Sequence, residues 1–360
     1  MVVCLAAGHS QKPVIERARA LGYVIIGVDR NVNAAASGLC DHMIHLSTHD
    51  PQPIIQALKK HPLASRIAGV LNRSSGPPVA TAAAINESFN LPGVPLHRAR
   101  QCLNKDLMRT ECLRQDLSVV KHQTVASFSD LQTENLSYPC VMKPALSMVG
   151  KQGVVVVSQA EQMQAAFTQA QAASVSGKVL VEDYLPGHDV SVIALVNRGK
   201  LEILALLDEI NQQLGDGTVE GKAMAVPSRF NTGPEADRIA ALTQKVADVF
   251  ELEHSALLMS CRISEGCEPR LIEIHLDMGG DKIMDVLLPA AGTFDVLQYM
   301  IKALTTECEL SSRPTYNPTA VIFADGDDLI SNRDHQILQA ATTEELEQKV
   351  TECIGKVPRP

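Results

Sequence analysis

The segment RLIEIHLDMGGD, residues 270–281, carries three side chains that can ligate a metal or contact a phosphate. Side chains alternate between the two faces of a strand, so Glu273, His275 and Asp277 are predicted to share one face. A solvated edge strand would alternate in the same way, but it would more usually carry Lys, Thr or Ser. We therefore predict a functional face on this strand.

Two interpretations of His275 stay open. Mg²⁺ prefers oxygen ligands, whereas an imidazole suits transition metals, and Mn²⁺ lies between the two preferences. His275 could therefore shift the metal preference towards Mn²⁺ or another transition ion. It could instead hydrogen-bond a phosphate and leave Mg²⁺ on Glu273 and Asp277.

A glycine-containing loop follows a lysine in the segment KPALSMVGKQGV, residues 143–154. Lys143 closes an apolar strand, and Gly150 and Gly153 lead into the next strand. A loop with exposed backbone amides and a nearby lysine can fold over a polyphosphate. An ordinary glycine hairpin with a solvated lysine explains this segment equally well.

The segment VEDYLPGHDVSV, residues 181–192, joins two strands through a Pro-Gly turn. Glu182 and Asp189 lie on either side of this turn. Such a linker can offer main-chain donors and acceptors to an adenine ring and a carboxylate to ribose hydroxyls. Taken alone, this segment is weak evidence for a nucleotide site.

The elements that must position these residues follow from periodicity. Strands alternate with helices over the first 95 residues, which predicts a parallel sheet. Later segments predict a charged helix over 98–114, a hairpin of 138–144 with 153–157, and a polar loop over 211–230. Further strands are predicted over 179–185, 189–196, 200–209, 256–264, 269–277 and 319–325, with helices over 235–250 and from 343 onwards.

Composition excludes several classes of protein. The 360 residues carry a formal net charge of −9 and few aromatics, which argues against a nucleic-acid binder. Nine scattered cysteines without metal-type spacing suit a reducing compartment. The first βα turn, AAGHSQKP, lacks the glycines of a dinucleotide site, and His42, His45 and His49 are interpreted as surface residues. The apolar run 2–7 predicts a first strand rather than a signal peptide, and no stretch is long enough to span a membrane.

The order of these segments resembles the ATP-grasp superfamily of carboxylate–amine ligases, in its amino-acid-ligase-like branch, over roughly residues 1–295. LNKDLMR resembles the first nucleotide-lysine motif and YPCVMKP the second, which are Lys105 and Lys143 here. SMVGKQGV is similar to the flexible glycine loop, and VEDYLPGHDVSV to the hinge. The resemblance implies a nucleotide site made of Lys105, Lys143, Ser147, Gly150, Gly153, Glu182, Asp183, Tyr184, Leu185 and Asp189.

The resemblance also implies residues near the metal and the substrate. LIEIHLDMGGD matches the metal strand, with Glu273 and His275 as metal ligands, although His275 stands where asparagine is usual. Asp277 stands where arginine is usual, and Ser260 where the first metal carboxylate is expected. Arg262 is the candidate for the missing cation, so Arg262 and Asp277 are the predicted catalytic residues. Substrate contacts are predicted at Glu220, Pro227, Ser228, Gly279 and Gly280.

The resemblance implies an α/β fold (α+β in the core) with an N-terminal pre-ATP-grasp domain at 1–95. A lid subdomain at 96–186, a core subdomain at 187–300 and a C-terminal extension at 301–360 follow. The implied activity is ATP-dependent joining of a small-molecule carboxylate and amine through an acyl phosphate, with ATP and Mg²⁺ or Mn²⁺. A degenerate nucleotide binder and a small-molecule kinase are the alternatives. We expect a cytoplasmic protein without nucleic-acid or membrane partners, and a homodimer is one assembly left open.

Overall fold

The computed structural model describes residues 1–147, 150–264, 266–280, 282–324 and 334–355. In this part of the chain the strands form a parallel sheet near the N-terminus and two antiparallel sheets. Within the same residues, no helix is long and apolar enough to cross a membrane. The predicted α/β class, with an α+β core, is confirmed.

The N-terminal sheet consists of short strands whose side chains are mostly apolar. They are β1 (Val2–Leu5), β2 (Ile25–Val28), β3 (His42–Ile44) and β4 (Gly69–Asn72), parallel and in the order β3-β2-β1-β4. Helix α1 (Lys12–Ala20) packs on one face, and α2 (Pro51–Lys60) and α3 (Pro77–Ser88) on the other. Helices on both faces explain why β1, β2 and β4 are apolar and buried along their length. The predicted parallel sheet is confirmed.

The charged segment after this sheet forms two helices, α4 (Leu96–Leu103) and α5 (Lys105–Arg114), rather than the single predicted helix. Asn104 separates them with an extended backbone, and its side chain accepts hydrogen bonds from the amides of Asp106 and Leu107. An asparagine in this position caps the following helix. Lys105 is therefore the first residue of α5, and its amide donates to the carbonyl of Ala145 at 2.9 Å.

The second sheet, called the lid sheet here, covers one side of the candidate site. It consists of β5 (His122–Val125), β6 (Cys140–Pro144), β7 (Val155–Val157) and β8 (Val179–Asp183), in the order β5-β8-β6-β7. Helix α6 (Met163–Ala172) packs against it through a separate apolar cluster. The predicted hairpin of β6 and β7 is confirmed.

The third sheet, called the core sheet, is antiparallel and has the order β13-β12-β9-β10-β11-β14-β15. Its strands are β9 (His188–Asn197), β10 (Lys200–Gln213), β11 (Val219–Val226), β12 (His254–Ile263), β13 (Arg270–His275), β14 (Thr319–Phe323) and β15 (His335–Gln339). The remaining helices are α7 (Pro234–Val249), α8 (Leu288–Ala291), α9 (Val296–Thr305) and α10 (Thr343–Ile354). Alternate residues of β9 pack towards α7 on one face and towards α9 on the other, so the sheet lies between two apolar clusters.

The predicted loop over 211–230 is wrong, because most of this segment is strand. β10 continues to Gln213 and pairs with β11. Ala223, Met224 and Ala225 are buried in β11, and small side chains fit between the neighbouring strands. The polar residues that suggested a loop lie mainly near the turn.

The turn between β10 and β11, residues 214–218 and called the hairpin tip, reaches the lid sheet. The amide of Val156 on β7 donates to the carbonyl of Gly217 at 2.8 Å. The amide of Val219 donates to the carbonyl of Val154 at 3.3 Å. Gly217 has a φ of +88°, and a Cβ there would lie 2.4 Å from the oxygen of Val156. Glycine is therefore required for the approach of these two backbones.

Candidate functional site

A cleft of about 830 Å³ lies between the lid sheet and the core sheet. Predicted site residues that line it are Lys105, Lys143, Ser147, Glu182, Asp183, Leu185, Asp189, Arg262 and Glu273. Polar lining residues that were not predicted as site residues are Lys151, Gln152, Glu209, Asn211 and Ser260. The fold therefore brings side chains from distant parts of the sequence to one cleft.

Glu182 on β8 is held between two buried cations. Arg109 Nε donates to Glu182 Oε2 at 2.8 Å, and Lys143 Nζ donates to Oε1 at 2.5 Å. Other guanidinium nitrogens of Arg109 donate to the carbonyls of Leu271 and Ile272 on β13. Arg109 was not predicted, and it joins α5, the lid sheet and the core sheet.

This cluster carries two positive charges and one negative charge. Burial alone would raise the pKa of Glu182, but the charges of Arg109 and Lys143 lower it to about 2. Burial lowers the pKa of Lys143, and the charge of Glu182 offsets this effect only in part. A further anion near Lys143 would compensate the surplus positive charge, so the cluster suits a phosphate group.

Lys105 contacts two other predicted site residues. Its Nζ lies 3.3 Å from Ser147 Oγ and 3.3 Å from Glu273 Oε2. The glycine loop continues from Ser147 through residues 148 and 149, which lie outside the described residues. Beyond them, Gly150 is exposed, and Gly153 packs against α6 so closely that a Cβ would lie 2.6 Å from Cβ of Ala173. Lys105 thus joins the start of the loop to Glu273 on β13.

The hinge between β8 and β9 is organised by Arg262 on β12. Its guanidinium donates to both carboxylate oxygens of Asp189 and to the carbonyl of Leu185 at 2.7 Å. The same guanidinium lies 5.0 Å from the centroid of the Tyr184 ring. The contacts of Arg262 thus lie in the hinge, whereas the sequence predicted a cation that serves in place of position 277.

Glu273 and His275 meet on β13, and Asp277 follows just after the end of that strand. Glu273 Oε1 lies 3.2 Å from His275 Nε2, whereas β13 ends at His275. Asp277 is buried, and it accepts hydrogen bonds from Ser75 Oγ and from the amide of Gly279, each at 2.9 Å. Asp277 thus lies just beyond the strand and contacts Ser75 and Gly279, and the face it shares with Glu273 and His275 stays a prediction.

The protonation of His275 bears on its predicted role as a metal ligand. Burial alone would lower the pKa of His275, but the charge of Glu273 raises it to about 9. A ring protonated on both nitrogens offers no lone pair to a metal, so a metal at His275 has to displace a proton, and the role of His275 as a ligand stays a prediction. Among the described residues, no group of three or more His, Cys, Asp or Glu side chains is arranged to hold a metal ion.

A carboxylate that the sequence analysis missed lies at the floor of the cleft. Glu209 on β10 accepts hydrogen bonds from Ser260 Oγ at 3.1 Å and from Ser191 Oγ, both through Oε1. Its Oε2 lies 2.8 Å from Lys151 Nζ. The signal available was an acidic residue at the end of a long apolar run, which is common on solvated strands.

The residues predicted near the substrate do not line this cleft in the described part of the chain. Ser228, which follows Pro227, is buried, and its hydroxyl donates a hydrogen bond to the carboxylate of Asp208. Asp208 lies on the face of β10 opposite to the cleft. Glu220 forms an ion pair with Lys222 at 2.7 Å. The carbonyl of Gly279 accepts from Arg73 Nε at 2.7 Å, and Gly280 is exposed. Their roles towards a substrate stay predictions.

Comparison with known proteins identifies the part of the chain that contains this cleft. Residues 136–285 match the ATP-grasp domain family. This segment is an ATP-grasp domain. It contains β6 to β13 with Lys143, Asp189 and Glu273, so the superfamily resemblance inferred from the sequence is confirmed.

Individual relatives agree with the ATP-grasp assignment. A formate-dependent phosphoribosylglycinamide formyltransferase of Pseudomonas entomophila is 30% identical over 196 residues, which cover 51% of this chain and 47% of that protein. The same enzyme of Mannheimia succiniciproducens is 27% identical over 223 residues, which cover 60% and 55%. The chain thus spans about half the length of the curated relatives it matches.

Solved structures show the same fold around the ATP-grasp domain. An L-amino acid ligase from Bacillus licheniformis superposes with a TM-score of 0.80 at 16% identity, covering 99% of this chain and 97% of that one. A phosphoribosylglycinamide synthetase from Anaerococcus prevotii superposes with a TM-score of 0.69 at 15% identity, covering 99% and 98%. These likenesses extend the shared fold to nearly the whole chain.

Proposed function

We propose that the protein is an ATP-dependent carboxylate–amine ligase that acts on small molecules through an acyl phosphate. The observation that carries this proposal is the joint presence of Lys105, Lys143, Asp189 and Glu273 in the cleft between the lid and core sheets. Transfer of a phosphoryl group requires positioning and charge stabilisation more than covalent chemistry, and such a cleft supplies both.

Each part of the cleft has a proposed task. Lys143 and Lys105 contact the phosphates. The compact ammonium group of each lysine is paired with a carboxylate in the cleft, and a phosphate can take the place of that carboxylate. The backbone of residues 182–185 holds the adenine ring, and Asp189 accepts hydrogen bonds from the ribose hydroxyls. Arg262 is a positioning residue, because it fixes the carboxylate of Asp189.

The metal proposed on the nucleotide is Mg²⁺, with Mn²⁺ as the alternative. Glu273 fits this role, because it presents carboxylate oxygens to the cleft. Mg²⁺ is usually bound by one or two carboxylates together with substrate phosphates and water. When bound, the ion would neutralise charge on the β- and γ-phosphates.

The names of the relatives define the substrates to try first. The curated relatives are formate-dependent and act to formylate phosphoribosylglycinamide, whereas the Bacillus licheniformis protein is an amino acid ligase. We propose a small carboxylate, such as formate or an amino acid, and a small primary amine. A homodimer and a cytoplasmic location stay predictions.

The proposed function is tested by incubating the protein with ATP, Mg²⁺, formate and pooled amino acids. Release of ADP together with an amide or peptide detected by mass spectrometry supports the ligase. A phosphorylated product that forms without an amine supports a small-molecule kinase instead. Binding of ATP without any product supports a degenerate nucleotide binder. Lys143→Ala serves as the control, because this variant should not release ADP if the cleft is the site of the reaction.

A further inference from the structure

We infer that Glu209 supplies the second metal-binding carboxylate, in the place of the acidic residue that β12 lacks at Ser260. The inference rests on the proposed function, because the ion is bound together with the nucleotide phosphates. It assigns to β10 a role that the sequence analysis sought on β12.

Four side chains lie close together on one face of the core sheet. Ser260 on β12 stands opposite Glu273 on β13 and opposite Ser191 on β9. Opposite residues of an antiparallel pair have neighbouring side chains. In the register of β9 and β10, Ser191 stands opposite Leu207 and Glu209 opposite Asp189, so Glu209 lies diagonally across from Ser191. Both serine hydroxyls donate to the same oxygen of Glu209, which brings this carboxylate to the side chain that neighbours Glu273.

The size of the side chains allows this contact. Glu209 reaches across β9 to Ser260 because a small residue, Ser191, lies between them and Ser260 is itself small. A glutamate at position 260 would itself contact the space that the Glu209 carboxylate now fills. Ser260 on β12 and Glu209 on β10 therefore complement each other, because the short serine leaves the space that the long glutamate fills.

The charges around the two carboxylates also favour this role. Glu209 is paired with Lys151 of the glycine loop at 2.8 Å, and Glu273 with Lys105 at 3.3 Å. A nucleoside triphosphate with a bound divalent cation brings negative phosphates and a positive ion. Both ion pairs can therefore separate, since each member finds a new partner of opposite charge. The two lysines then contact phosphate oxygens and the two carboxylates contact the cation, so each of these four groups exchanges one partner of opposite charge for another.

The alternative is that Glu209 only anchors Lys151 and so holds the glycine loop. The two roles differ in what they require. A metal ligand at Glu209 affects cation binding even if Lys151 is absent, whereas an anchor affects the loop and nothing else. A pair of carboxylates also suffices for Mg²⁺ on a nucleotide, so a preformed site of three protein ligands is not needed.

The test measures Mn²⁺ binding to the ADP complex by electron paramagnetic resonance, and ADP binding in EDTA by calorimetry. Glu209→Gln is expected to weaken Mn²⁺ binding by about tenfold or more, as loss of groups at metal sites does. ADP binding without metal should not weaken, because in the absence of a cation the Glu209 carboxylate only competes with the phosphates for Lys151. Glu202→Gln, which removes a buried carboxylate from the same strand beside Tyr299, is the matched control and should leave Mn²⁺ binding unchanged.

Two further variants decide between the roles. Ser260→Glu added to Glu209→Ala places a carboxylate on β12 in the space that the shortened residue 209 leaves, and it should restore most of the lost Mn²⁺ affinity. Lys151→Met removes the anchored lysine and should leave Mn²⁺ affinity largely intact. Glu209→Asp keeps the charge but shortens the side chain, so it provides a folded intermediate case if Glu209→Gln is unstable, and its Mn²⁺ affinity should also fall.

The outcomes separate this inference from the proposed function. Unchanged Mn²⁺ affinity in Glu209→Gln, or an equal loss in Lys151→Met, would overturn the metal role of Glu209 while leaving nucleotide binding in place. A wild-type protein that binds no ADP in either assay would instead overturn the proposed function, and the inference with it.

Discussion

Asp189 on β9 and Arg262 on β12 form a two-pronged ion pair, with Nε to Oδ1 at 2.5 Å and Nη2 to Oδ2 at 3.1 Å. The two residues stand directly opposite each other in the sheet register. Such bidentate pairs fix the plane of the carboxylate. The carboxylate proposed for the ribose is thus oriented before any ligand binds.

Asp189→Ala is expected to reduce the preference for ATP over 2′,3′-dideoxy-ATP by about tenfold, because an acceptor matched to ligand hydroxyls is lost. Calorimetric titration with both nucleotides checks this. Asp248→Ala, on the exposed surface of α7, should keep the wild-type preference. An unchanged preference in Asp189→Ala would mean that its carboxylate only holds Arg262 and Asn211.

Lys143→Ala is expected to weaken ATP binding by about tenfold or more, since a charge-assisted contact to phosphate is removed. Glu182 keeps Arg109 as its partner in this variant, so the fold should survive. Lys178→Ala, an exposed lysine, should bind ATP as the wild type does. Equal affinities in the two variants would contradict the phosphate role of Lys143.

Unfolding measured in urea between pH 6 and pH 3 should show the ionisation of Glu182. Its pKa is about 2 in the folded protein against an ordinary value of 4.5, so the ionised form stabilises the fold above pH 4.5. This contribution declines as the pH falls from 4.5 towards 2. Glu182→Gln should be less stable at pH 6 and should lose less stability on acidification. Parallel pH profiles for the two proteins would refute the paired state of Glu182.

Asp277→Ala is expected to lower the free energy of unfolding by about 2–3 kcal/mol, because Ser75 Oγ and the amide of Gly279 both lose their acceptor. Asp277→Arg should destabilise the fold further, since it buries a cation against a hydroxyl and an amide. Chemical denaturation measures both effects. A stable Asp277→Ala protein without turnover would support the catalytic role that the sequence suggested.

Much of the site could be predicted because its residues stand within local motifs. Lys105, Lys143, Asp189 and Glu273 each occur in a short segment whose type and order resemble ATP-grasp proteins, and the fold brings them to one cleft. The parallel N-terminal sheet was predictable for a similar reason, because apolar runs such as 2–7 alternate with helical spacing.

The rest depends on contacts between distant segments. Arg109 looks like a solvated helix residue in sequence, yet it is 1% exposed, because Glu182 from β8 and two carbonyls of β13 surround it. Asp277 follows the period of β13, but the end of that strand places it against Ser75 of the N-terminal domain. Periodicity does not show where a strand ends or which partner meets a buried charge.

The hairpin tip has a consequence for how the cleft can open. Backbone hydrogen bonds from Val156 on β7 to Gly217 in the tip, and from Val219 on β11 to Val154, join the lid sheet to the hairpin of β10 and β11, so the lid sheet does not turn alone. Rotation of the lid must either break these bonds or displace β10, the strand that carries Glu209. Nucleotide entry and the position of the proposed metal carboxylate would then be mechanically coupled.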